Sequence, residues 1–114
     1  MKISEVATAI NGRVVCSASL TDHEVKRACA SDLLSDVLTL NKHGILLITG
    51  LANLQTVRVA EVAEIPCILL VRNKKASPEM IRIAEENKIV IIESERSMFN
   101  ASGSLFQAGI QPVY

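Results

Sequence analysis

Three nearly uninterrupted apolar runs dominate the hydrophobic pattern of this chain, at Ile45–Thr49, 67–71 and 88–93. Runs of this length suit strands covered on both faces, as in a parallel sheet. Gly44 precedes the first run and Pro66 opens the second. Between the runs the period changes. Gly50 and Asn53 break the first strand and cap a helix over 54–64, and Ser77-Pro78 pairs a capping hydroxyl with proline at the first helical position of a helix reaching Asn87. A last helix covers 97–108, with Gly109 as its stop.

The first forty residues carry weaker signals. Ile3, Val6, Ala7 and Ile10 share one face of a short helix that ends at Asn11-Gly12. Residues 13–16 and 25–30 read as strands, and 33–40 has helical spacing with Asp32 placed to cap its first turn. Strands joined by helical crossovers make two consecutive right-handed βαβ units. The expected fold class is therefore α/β, an open three-layer sandwich with a mostly parallel central sheet of about five strands and helices on its faces.

Length and composition narrow the function. The 114 residues suit a single domain over 1–114, and 49% hydrophobic with 21% charged residues is ordinary globular composition. The formal net charge is zero and aromatic residues are 3% of the chain, so neither a basic footprint nor a stacking platform for nucleic acid is expected. No apolar stretch approaches the roughly 18 residues of a membrane span, and the N-terminus has no basic segment followed by an apolar run. A cytoplasmic protein without a membrane partner is the expectation. Cys16, Cys29 and Cys67 are widely spaced and form no CxxC pair, which reads as small buried hydrophobes rather than a zinc or redox site.

Candidate chemistry gathers at the carboxyl ends of the expected strands, where ligands of open parallel sheets usually bind. Thr49, Gly50 and Asn53 precede a helix N-terminus, whose free N–H groups favour an anion, and Arg72, Lys74 and Lys75 add positive charge. Together they are candidates for holding a nucleotide or another phosphate-bearing metabolite. Neither a P-loop nor a dinucleotide-binding turn is present, because this loop has one glycine. His23 and His43 stand in polar turns beside no recognisable nucleophile. Asp32 and Asp36 could chelate a cation with Asn41, but a helix cap and a solvated side chain account for the two acids. Glu93-Ser94-Glu95 reads as a loop. No catalytic residue, metal site or cofactor is expected.

The C-terminal stretch is the most unusual. From Ser97 to Tyr114 there is no charged residue, and both phenylalanines and the one tyrosine fall within it. Met98, Phe99, Leu105 and Phe106 can share a broad apolar helix face, leaving only Asn100, Ser104 and Gln107 on the opposite one. Charge depletion with aromatic and methionine enrichment marks an interface core, so these four residues are the interface candidates.

Several strings carry a family resemblance: Ala30-Ser31-Asp32-Leu33-Leu34-Ser35-Asp36-Val37, Leu47-Ile48-Thr49-Gly50-Leu51, Thr56-Val57-Arg58-Val59-Ala60-Glu61 and Ser97-Met98-Phe99. They resemble the stand-alone DRTGG domain proteins over nearly the whole chain. The letters that name the family do not occur as a string, and Val71-Arg72-Asn73 stands where relatives often carry a glycine-rich turn. Such domains are similar to the N-terminal domain of HPr kinase/phosphorylase, and also occur between CBS domains of regulated pyrophosphatases and beside phosphotransacetylase domains. The resemblance implies a regulatory or dimerising module, with catalysis and adenine-nucleotide binding located in other domains. The expected function is a non-enzymatic regulatory or interaction module that homodimerises through its C-terminal helix, or engages another protein or enzyme domain. The alternative is a sensor of phosphate-bearing ligands at the strand ends.

Overall fold

The computed structural model describes residues 1–40 and 42–114, and in it the strands form one six-stranded sheet. In chain order the elements are α1 (Ile3–Ala9), β1 (Arg13–Cys16), β2 (Arg27–Ala30), α2 (Leu34–Val37), β3 (Ile45–Thr49), α3 (Leu54–Val62), β4 (Cys67–Leu70), α4 (Pro78–Glu86), β5 (Val90–Glu93), α5 (Met98–Gln107) and β6 (Gln111–Pro112). The spatial order is β1-β5-β4-β3-β2-β6, parallel throughout except that β1 runs antiparallel to β5. The mostly parallel α/β sandwich is the architecture the hydrophobic pattern predicts.

Every residue of β3, β4 and β5 is buried, which is why these strands read as continuous apolar runs. Successive side chains point to opposite faces and feed two separate cores. Leu46, Ile48, Cys67, Leu69, Val90 and Ile92 pack under α1 and α5, with Ile3, Val6, Ala101 and Leu105. Leu47, Ile68, Leu70 and Ile91 pack under the other helices, against Val37, Val57, Ala60, Met80 and Ala84. Three layers result.

Helix starts follow the sequence closely. The side chains of Asn53, Ser77 and Ser97 accept from the N–H groups of Thr56, Met80 and Asn100 at 3.0–3.2 Å. Helix ends share a device that only partly shows in the sequence. After α1, α3, α4 and α5 comes one residue with positive φ: Asn11, Glu64, Lys88 and Gly109. The next N–H then reaches back five residues, from Gly12 to Ala7, Ile65 to Ala60, Ile89 to Ala84 and Ile110 to Leu105, at 2.8–3.0 Å. These are Schellman closures, and three of them bury an isoleucine beyond the turn.

One expectation is refined and another needs correction. To the expected sheet of about five strands the structure adds a short edge strand, β6, which pairs in parallel with β2 through Gln111 and Pro112. A two-residue strand containing proline leaves no periodicity to detect, and an edge position tolerates the missing N–H. The helix expected over 33–40 is a single turn, α2, with Leu33 at its N-cap and no side-chain cap. Asp32 is drawn elsewhere.

Candidate functional site

Asp32 lies past the end of β2, beside the carboxyl end of β3. Its Oδ1 accepts from the Thr49 hydroxyl at 2.9 Å and from the Gly50 N–H at 2.8 Å. Its Oδ2 accepts from both terminal nitrogens of Arg72 at 3.3 and 3.4 Å. The Gly50 N–H, with the Thr49 hydroxyl and the Arg72 guanidinium, holds the Asp32 carboxyl below the usual carboxylate value despite some desolvation. Thr49, Gly50 and Arg72 do converge as their positions suggested. What they hold in this structure is the chain's own Asp32 carboxylate.

The rest of the expected basic group is spread out. Asn53 is occupied as the cap of α3. Lys75 Nζ lies 3.7 Å from Glu93 Oε1, and Lys74 is exposed. Arg72 and Asn73 both have positive φ, and their N–H groups donate to Arg96 and Ser94 carbonyls at 2.8 and 3.0 Å. Two consecutive non-glycine residues in the left-handed region store strain, and these bonds to the next strand-end loop hold them there.

Glu93 is not a loop residue. It closes β5 with only 4% of its side chain exposed, and its carboxylate accepts from Arg13 at 2.9 Å and from the Ala76 N–H at 2.8 Å. The neighbouring Ser94 hydroxyl donates to the Ile10 carbonyl at 2.9 Å. Arg96 reaches Asn11, Asn100 and Ser104 at 2.7–3.2 Å, tying the start of α5 to the turn after α1. Between these groups an open polar groove of about 520 Å³ is lined by Asn11, Arg13, Lys75, Glu93 and Arg96. Sequence reasoning missed it because Arg13 comes from the antiparallel edge strand, eighty residues from Glu93, and Asn11 from the turn that precedes it.

Asp36 is exposed on α2, and Asn41 lies outside the described residues. His23 and His43 are both exposed. Burial pushes the thiols of Cys16, Cys29 and Cys67 up, away from the reactive thiolate. Among the described residues no helix is long and apolar enough to cross a membrane.

The four interface candidates do not share one face. Leu105 is buried in the chain's own core and Met98 packs against that core, whereas Phe99 is 89% and Phe106 62% exposed. Asn100 and Ser104 are held by Arg96, which leaves Phe99 and Phe106 on the outward side of α5. Spaced two helical turns apart, they lie on one line along the helix. A further apolar groove of about 150 Å³ opens between α5 and the β2–β6 edge, lined by Ala28, Ser102, Phe106, Ile110 and Pro112.

No protein-family model matches the chain, and no curated protein sequence matches it. Among solved structures, the chain is similar to the crystal structure of the CBS and DRTGG domains of the regulatory region of Clostridium perfringens pyrophosphatase, complexed with its activator diadenosine tetraphosphate. The two share 13% sequence identity and a TM-score of 0.74; the match covers 98% of this chain and 48% of that one. The chain thus spans about half the length of the structure it matches. A fold carried at that identity is common to both while the residues that build it differ, and this α/β sandwich has the fold of part of that regulatory region.

Proposed function

We propose that this chain is a non-catalytic, DRTGG-like regulatory module that acts by pairing with a second copy of itself through the outward face of α5. The observation that carries this reading is the exposure of Phe99 and Phe106 within a stretch, 97–114, that has no charged residue. An exposed aromatic pair on an uncharged surface is unusual on a monomer and ordinary at an interface. The likeness to a pyrophosphatase regulatory region supports a regulatory role.

Light scattering across a concentration series tests the pairing. A dimer is expected at micromolar concentration, with Phe106→Asp weakening it by at least about tenfold, as loss of an aromatic anchor does. Arg82→Asp, on the exposed side of α4, should leave it unchanged. A chain that stays monomeric when concentrated overturns the reading.

The polar groove beside β5 favours a second reading, a sensor of phosphate-bearing ligands. Arg13, Lys75 and Arg96 line it together with the carboxylates Glu93 and Glu95, and Lys74 is adjacent in the chain. A ligand phosphate would therefore compete with Glu93 for Arg13 and Lys75. On this reading nucleotides raise the melting temperature, and the Lys74→Glu, Lys75→Glu double substitution or added salt lowers the shift. Absence of any stabilisation at millimolar ligand removes it.

A further inference from the structure

Gly103 stands in the middle of α5, yet packing does not require a glycine there: among the described residues, a Cβ at this position meets no atom within 4 Å apart from its chain neighbours and its own helix backbone. A glycine inside a helix weakens it relative to alanine, because the unfolded chain gains freedom and the helix gains no contact. Something outside the chain is the natural reason for its presence. Gly103 falls four residues after Phe99 and three before Phe106, so all three occupy one stripe. Ala101 and Leu105, fully buried on the other side, fix that stripe as the outward one.

The stripe is close to symmetric about Gly103, with a phenylalanine one turn away on each side. Two such helices laid antiparallel about a two-fold axis bring Phe99 of each copy beside Phe106 of the other. Their backbones come closest where there is no Cβ. The stripe itself carries no charged side chain, and the nearest cation, Arg96, is held on its flank by Asn100 and Ser104. Beside Phe106 lies the apolar groove between α5 and the β2–β6 edge, and the buried Ser102 hydroxyl oxygen, without a hydrogen-bond partner among the described residues, stands in its wall.

We infer that a second copy of this chain docks antiparallel on α5, crossing at Gly103, with Phe99 of each copy seated in the groove beside Phe106 of the other. This rests on the pairing proposed above and assigns its geometry. A leucine at position 103 fills open space in the monomer and improves helix propensity, but keeps the two helices apart.

The full chain carrying Cys29→Ser serves as background, since Cys16 and Cys67 are buried. Sedimentation velocity should show that Gly103→Leu raises the dimer dissociation constant by at least about tenfold without lowering the melting temperature of the dilute protein. Gly103→Cys should form a disulfide-linked dimer under air oxidation, and Arg82→Cys should not. A dimer that survives Gly103→Leu, gives no cross-link through Gly103→Cys and still dissociates with Phe106→Asp overturns the crossing while leaving the pairing intact. A chain monomeric at every concentration, or a dimer indifferent to both substitutions, overturns the two together.

Discussion

Gly12 and Gly50 both lie where a methyl group has no free space, but what it meets differs. At Gly12 a Cβ runs into Ile10, Ile92 and the Glu93 carbonyl, all held in the core or in β5. At Gly50 it meets only the Arg72 guanidinium, the far end of a flexible side chain. Gly12→Ala is therefore expected to cost about 1–3 kcal/mol as overpacking. Gly50→Ala displaces Arg72 from Asp32, a half-exposed pair, and is expected to cost under about 1 kcal/mol. Urea denaturation of the two variants checks the order; equal losses would mean that Arg72 is as immobile as the core. The same cluster sets a pH dependence. Because the folded Asp32 carboxyl sits below its unfolded value, its contribution is present above the ordinary carboxylate range and fades as pH falls through the folded value. None of this was legible from the residues around Asp32. Its local sequence offers a helix cap, and only the pairing of β2 with β3 brings better donors, Thr49 and Gly50, within reach.

The elements themselves were largely readable. Continuous burial of β3, β4 and β5 writes itself into sequence as apolar runs, and side-chain caps announce the starts of α3, α4 and α5. The helix ends were readable at Asn11-Gly12 and at Gly109, but after α3 and α4 the left-handed residues are Glu64 and Lys88, which carry no such signal. At Lys88 the strain is held by the 2.8 Å bond from the Ile89 N–H to the Ala84 carbonyl and by burial of Ile89. Lys88→Gly keeps that closure and removes the left-handed penalty, against the greater freedom of glycine in the unfolded chain. A net gain of about 0.5–1 kcal/mol is expected, seen as a higher urea midpoint with unchanged slope. A loss would show that the lysine side chain is itself worth more than the strain. The expected interface face fails at this same scale: a helix period of 3.6 puts Met98 and Leu105 on one side of α5 and Phe99 and Phe106 on another. Both pairs are apolar, so hydrophobicity alone does not say which side a core takes.

At the scale of the molecule, the dimer test with Phe106→Asp is decided by what α5 leaves uncovered, and that follows from the sheet order. The chain leaves β5 and returns beside β2, so α5 crosses the face it shares with α1 and turns its Phe99–Phe106 stripe outward. By itself the sequence determined the alternation of buried strands and capped helices, the α/β class, and the uncharged character of residues 97–114. These are local properties: burial on both faces demands an apolar run, and a helix start demands an acceptor for its free N–H groups. The tertiary structure alone decided the rest. It set the antiparallel edge at β1, the sixth strand at β6, the diversion of Asp32 to Thr49, Gly50 and Arg72, and the groove that joins Asn11 and Arg13 to Glu93. Each of these depends on a contact between residues far apart in the chain, and such contacts leave no periodicity in the sequence because neither partner's neighbours carry a trace of the other.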